Sequence, residues 1–417
     1  MSSPRSLSPA ARATRRPTLG LLVSATLVTA FAAGCRARPD MAPRPLRLAP
    51  SVADTVRTDP VAPGVQLHTL VNTAAPWRAY VLDVDLRCNT LQAVKGATVA
   101  QGRLTTSQLL ATLPRAPRAM PVAAVNADFF LFAPPGVPTN AHIERGTLIS
   151  GPDVKPVFWR GDNGALGFDT LRLDGSLKTR GTTVPLQGWN RPAARTTGIV
   201  DRHWGVPLDT VVRRQAFRLD PAPGITNRMV HPGIHGRFVL RAARASDTLA
   251  RGDTLLLHAP RDVASTLRIG DTVTVQALIW GTGPGRAEAG VTEAVGGRPI
   301  LVTDSLVARD ADTEGAESFR NLNPRTVMGL DRAGTRAWLA VIDGRQAGVS
   351  MGMTLRQSAE LMRALGATRA LNLDGGGSSA LVLATASGQT RVVNRPSDNG
   401  TERAVANALA VLGTCRP

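Results

Sequence analysis

Ala370-Leu371-Asn372-Leu373-Asp374-Gly375-Gly376-Gly377-Ser378-Ser379-Ala380-Leu381-Val382 decides how this chain is read. An apolar run stops at a carboxylate, crosses three glycines and two hydroxyls, and resumes as an apolar run. Such a run is a strand leaving a sheet at Asp374, turning tightly and entering a second strand. Glycines let backbone approach a ligand with no Cβ in the way. Their N–H groups are expected to converge on an anion, as in turn-backbone nests. The alternative is a tight hairpin in which Asp374 caps its own turn.

Upstream of the loop, Arg336 to Ile342 reads as an apolar strand ending at Asp343-Gly344. Thr354 is placed to cap a helix to about Leu365, with Leu355, Ala359, Met362 and Leu365 on one face and Gly366 ending it. Ala370 to Leu373 is the next strand. A strand–helix–strand unit of this kind makes its two strands parallel. Asp343 and Asp374 then leave the sheet at one carboxyl edge, where α/β sheets bind ligands. Two carboxylates on one rim suit cleavage of a glycosidic bond, one protonating the leaving oxygen and the other activating water or attacking.

Other segments keep company with the loop: Val125-Asn126-Ala127-Asp128-Phe129-Phe130, Asn323-Pro324-Arg325-Thr326, Ser350-Met351-Gly352-Met353, Val393-Asn394-Arg395-Pro396 and Glu402-Arg403-Ala404. In this order, with the glycine loop, they resemble the phosphodiester glycosidase family, from about Val65 to Leu412. The resemblance implies hydrolysis of a sugar-1-phosphodiester to free sugar and a phosphate monoester. It makes Asp343, Asp374, Asp128 and Glu402 the catalytic candidates. Asn126, Arg325, Thr326, Gly375, Gly376, Gly377, Ser378, Ser379, Asn394 and Arg403 become candidates for holding substrate. Arg325 is the expected phosphate partner, since guanidinium binds phosphate oxygens with paired hydrogen bonds. Glu402 and Arg403 are alternatively a supporting ion pair. Where family members carry glycine after the Asn, this chain has Ala127. No cofactor is implied with certainty, although Asp128 would suit a divalent cation. A cell-envelope glycan binder and a phosphodiesterase breaking P–O are the competing readings.

Three further chemistries fail on sequence. The Gly-Gly-Ser-Ser-Ala stretch approaches a nucleophile elbow, but that fold needs a later His, and none follows His258. There is no Gly-Lys-Ser/Thr for a nucleotide P-loop. His231 and His235 are separated by Pro232 and Gly233, which deny them a helix face for a metal.

The first 34 residues read as a signal peptide, with Arg5, Arg12, Arg15 and Arg16 ahead of an apolar stretch from Leu19 to Phe31. Ala32-Ala33-Gly34-Cys35 resembles a lipoprotein cleavage site, making Cys35 the lipidated N-terminus in a bacterial cell envelope. Residues 35–60, rich in Pro, Arg and Ala, are expected to be a flexible tether, and 61–417 the domain. With Cys35 acylated, Cys88 and Cys415 are the two thiols left to pair in an oxidising compartment.

The net charge of +18 invites a nucleic-acid reading, but the arginines are scattered and only Lys95, Lys155 and Lys178 are lysines. Basic runs and stacking aromatics are both missing, so no nucleic-acid partner is expected. The expected partners are a sugar phosphodiester or envelope polymer, and a membrane through the anchor. The fold class is α/β, mixed with α+β: strand-rich, with few helices, a βαβ unit near the C-terminus and a small β-rich insert at about 205–285. A further strand is expected over Trp77 to Leu86, another over Val122 to Asn126, and a helix over Leu104 to Leu113.

Overall fold

The computed structural model describes residues 45–414 apart from 98, 117–118, 194, 206–207, 209–215, 225–227, 230–232, 244–253, 283–289, 310 and 312–319. Cys35, His231 and Cys415 lie outside the described residues, as does the signal segment.

Three sheets build the described residues. An eight-stranded sheet begins with β1 (Thr55–Ala62), β2 (Val65–Asn72) and β3 (Trp77–Asp85), then runs through Arg336–Ile342, Arg325–Leu330, Arg369–Asn372, Ile300–Thr303 and Leu306–Val307. A five-stranded sheet orders Thr390–Val392, Leu381–Ala384, β5 (Met120–Asn126), Ala408–Gly413 and β4 (Asn89–Val94). The tether expected to reach Pro60 gives way earlier to structure. Thr55 to Ala62 pair with β2, and Leu46, Leu48 and Val52 pack on the core.

The first two sheets face each other, and period-two alternation shows which residues meet. Leu82, Val84, Met328, Leu339 and Val341 point inward against Val125, Leu381, Leu409 and Val411 of the five-stranded sheet. Their strand neighbours Val81, Val327, Trp338, Ala340 and Ile342 point the other way, onto the helix Leu355–Leu365. The helix Thr106–Ala111 covers the back of the five-stranded sheet through Leu109 and Leu110. The result is four layers, helix–sheet–sheet–helix. Both helices start at capping boxes, Thr105 with Gln108 and Thr354 with Gln357, and Gly366 closes the longer helix in a left-handed conformation.

The expected βαβ unit is present with one addition. Arg336–Ile342 and Arg369–Asn372 both run antiparallel to Arg325–Leu330, which lies between them, so they are parallel to each other but not adjacent. The β-rich part expected at about 205–285 is wider than that, with a core of its own from Ala141 to Ala294. Thr272–Gly281 pairs with Leu166–Thr179 in a 13-stranded sheet that also holds Pro156–Gly161 and Val291–Gly296.

Candidate active site

Asp343 and Asp374 flank the N-terminal end of Arg325–Leu330. Arg325 pairs with Ile342 on one side, and Leu373 N–H donates to Thr326 O at 2.8 Å on the other. The two strand ends are therefore about 10 Å apart, two strand spacings. The third carboxylate arrives with β5: Asp374 N–H donates to Ala127 O at 2.7 Å, which sets Asp128 beside the same loop.

Asp343 follows the inward register of Leu339 and Val341. Its Oδ1 accepts from Asn394 Nδ2 and from Arg395 N–H, each at 3.1 Å. Burial nonetheless dominates, and the carboxyl is pushed up to about 6, with those two donors offsetting part of the effect. Asp374 is likewise raised to about 6 by desolvation, partly countered by Ser378, the Gly375 N–H and Arg403. Asp128 is fully buried and raised to about 7. Donors from Asn140 N–H at 2.9 Å and Thr139 Oγ1 at 3.1 Å hold it, and Asp374 repels its charge. Three carboxyls thus titrate well above the ordinary range in one place, as acid–base sites do.

The polar residues beneath the loop are braces. Asn126 Oδ1 accepts from Thr326 Oγ1 at 2.7 Å and from Ala380 N–H at 3.1 Å, while its Nδ2 donates to Asp374 O at 2.6 Å. One buried amide thereby closes both ends of the loop, and neither Asn126 nor Thr326 is left for a sugar hydroxyl. Asn394 does the same on the far side, donating to Asp343 and to Ser379 O and accepting from Leu381 N–H. Asn407 holds Asp128, accepting its N–H at 2.8 Å and donating to Nδ1 of buried His142.

The glycines serve close approach rather than an N–H cradle. The N–H groups of Gly376, Ser378 and Ser379 are taken by Pro324 O, Gly375 O and Gly376 O, so the expected anion nest is not formed by them. A Cβ on Gly375 would overlap Pro324 O, and one on Gly377 would overlap the Arg403 guanidinium and Asp398. At Gly376, whose φ is +63°, it would lie 3.3 Å from Arg345 Nη2. Positive charge reaches the loop through these side chains. Arg403 is paired with Asp398, and Arg345 donates to Asn323 Oδ1 from a backbone with φ of 58°. Ser378 and Ser379 are buried; Ser378 faces the Asp374 carboxyl, whereas Ser379 Oγ has no hydrogen-bonding partner among the described residues.

Two candidates are placed elsewhere. Arg325 stands one residue before inward-facing Thr326, so alternation turns it to the helix side. There its Nε donates to Met353 O at 2.9 Å and its Nη2 to Asn321 O at 2.8 Å. It ties the loops around the site together and is not aimed at the glycine loop. Glu402 accepts the Ser107 N–H at 3.1 Å, capping the helix Thr106–Ala111, and the partner of Arg403 is Asp398 rather than Glu402. Arg345, Asn407 and His142 were not among the sequence candidates. Arg345 carries a signal in its place directly after Asp343-Gly344. Among the described residues, no three His, Cys, Asp or Glu side chains group as a metal site.

Residues 233–412 match the family model described as phosphodiester glycosidase. Asn126 and Asp128 lie before the matched stretch. No curated protein matches the chain. Among solved structures, a hypothetical protein from Synechocystis is 21% identical with a TM-score of 0.65, covering 86% of this chain. The chain spans 64% of that protein's length. A putative exported protein from Burkholderia pseudomallei K96243 is 22% identical with a TM-score of 0.61, covering 83% of this chain and 76% of its own. The zebrafish N-acetylglucosamine-1-phosphodiester alpha-N-acetylglucosaminidase catalytic domain, auto-inhibited by its pro-peptide, is 14% identical at a TM-score of 0.44, over 88% of this chain and 94% of that one. At these identities the first two likenesses speak to fold alone, and the third carries no argument.

Proposed function

We propose that the protein hydrolyses the glycosidic bond of a sugar-1-phosphodiester. Water adds to the anomeric carbon, the carbon–oxygen bond breaks, and the bridging oxygen leaves with a phosphate monoester. The observation that carries the reading is the convergence of Arg345 and Arg403 on Gly376 and Gly377, next to Asp374. Two guanidiniums there suit the charge of a departing phosphate, which needs charge stabilisation more than protonation. Asp343 and Asp374, both raised to about 6, are suited to share acid and base roles near that pH. Asp128, neutral more readily than either, lies close enough to Asp374 for their charges to repel. The signal-like N-terminus supports export, with Cys35 as a lipid anchor in a bacterial envelope.

Hydrolysis in oxygen-18 water tests the reaction. Label in the released sugar is expected. Label in the phosphate would instead identify P–O cleavage, and no turnover across a panel of sugar phosphodiesters would favour a glycan-binding role.

A further inference from the structure

A cavity of about 680 Å³ opens beside Asp343 and takes no part in the site described so far. β1 and β3 contribute Arg57, Arg78 and Tyr80 to one wall, and the strands Leu381–Ala384 and Thr390–Val392 contribute Leu383 and Arg391 to the other. Two links join it to the site. Asp343 N–H donates to Arg78 O at 2.9 Å, and the lining residue Val393 directly precedes Asn394, whose amide holds the Asp343 carboxylate. Alternation in β3 turns Arg78 and Tyr80 to the same inner face as Leu82, the face onto which Asp343 projects.

The cavity's charge is the informative part. Arg57 is paired with Asp59 at 2.8 Å. Arg78 hydrogen-bonds Tyr80 and lies within the field of the Asp343 carboxyl, and Arg391 is exposed. A single phosphodiester carries one negative charge, and Arg345 and Arg403 already flank the loop assigned to it. The cavity next door is lined by Arg57, Arg78 and Arg391 against one carboxylate, Asp59, and this excess of positive charge suits further negative charge in the ligand. A sugar ring is neutral, so this charge belongs to the leaving-group side. We infer that the cavity is a subsite for a leaving group bearing its own phosphate, as in a polyol-phosphate chain, with Arg78 and Arg391 binding that second anion and Leu383 and Val393 its carbon backbone. This rests on the reaction proposed above.

The test uses Arg391→Glu in the full exported chain, because Arg391 is exposed on an edge strand and its loss spares the core. Two substrates share one sugar: one with a methyl leaving alcohol, one with a glycerol phosphate leaving group. The ratio of kcat/KM, phosphorylated over methyl, is expected to fall at least tenfold in the variant. A ratio that stays within twofold overturns the subsite. If wild type turns over neither substrate, the reaction itself is wrong, and calorimetric titration of a synthetic tri(glycerol phosphate) then judges the cavity alone. Binding weakened at least tenfold by Arg391→Glu supports it, and no binding by wild type, or equal binding by both proteins, overturns it.

Discussion

Replacing Asp343 by Asn should make the protein less active and, at neutral pH, more stable. In the folded chain the Asp343 carboxyl sits near 6 against an ordinary value of 3.8, because burial disfavours its charge. A raised folded value means that the native state holds the proton more tightly than the unfolded chain. The group therefore costs nothing below about pH 4, costs progressively more between the two values, and reaches its full cost above about pH 7. A shift of roughly two units corresponds to about 3 kcal/mol. Asn cannot titrate, and its Oδ1 can keep both hydrogen bonds, since Asn394 Nδ2 and Arg395 N–H converge on the same oxygen at 3.1 Å.

The stability difference, variant minus wild type, should then be about 3 kcal/mol larger at pH 8 than at pH 4. Urea unfolding of both proteins at pH 4, 6 and 8 measures it directly. Turnover of a sugar phosphodiester should meanwhile fall at least about a hundredfold, as when acid–base or electrostatic catalysis is lost. A stability difference that does not change with pH would refute the assignment of a desolvated carboxyl. Near-normal turnover would move the chemistry to Asp374 and Asp128.

Four further outcomes are expected. The kcat profile should be bell-shaped with its maximum near pH 6, one carboxyl ionised and the other protonated, and a rate still rising at pH 8 would contradict it. Arg325→Lys should lower stability by about 1–3 kcal/mol through unpaired carbonyls at Met353 and Asn321, with similar kinetic losses on charged and neutral substrates; a loss confined to charged substrates would restore Arg325 as a phosphate ligand. Cys35→Ser should move the protein from the membrane fraction to the soluble one, and unchanged detergent partitioning would count against the anchor. Cys88 is disulfide-bonded, and Thr414, one residue before Cys415, donates to Cys88 O. An unreduced digest should yield a peptide linking Cys88 to Cys415, and two alkylatable thiols in fresh protein would rule it out.

What the sequence made legible was local. Apolar strands that stop at a carboxylate announce Asp343 and Asp374, and Thr354 announces the helix between them. The orientation of Arg325 was not legible, because it depends on knowing that Arg325–Leu330 lies antiparallel between the other two strands and on the parity that follows. Thr326 faces the second sheet, so its neighbour must face the helix. Asn126 misled for a related reason. A polar residue ending a buried strand reads as a ligand-binding group, but here Ala380 N–H, Asp374 O and Thr326 Oγ1 converge on it from segments some 200 to 250 positions away. Hydrogen-bond saturation of that kind is a tertiary property.

The same saturation explains the form of the glycine run. Asn126 and Asn394 clamp the loop from the protein side, and three of its own N–H groups are satisfied by main-chain carbonyls. A loop held this firmly has little anion-binding capacity of its own, so charge must be delivered by side chains from neighbouring segments. Those side chains reach it only because positions 375–377 lack Cβ atoms: Arg345 lies against Gly376, and Arg403 with Asp398 against Gly377. The glycines thus exchange a backbone cradle for a guanidinium one. That arrangement places the positive charge of Arg403, held by Asp398, near Asp374, whose affinity for its proton it lowers. Substrate phosphate that draws Arg403 away from Asp374 would raise the carboxyl further and ready it as an acid, coupling phosphate binding to proton donation through a single side chain.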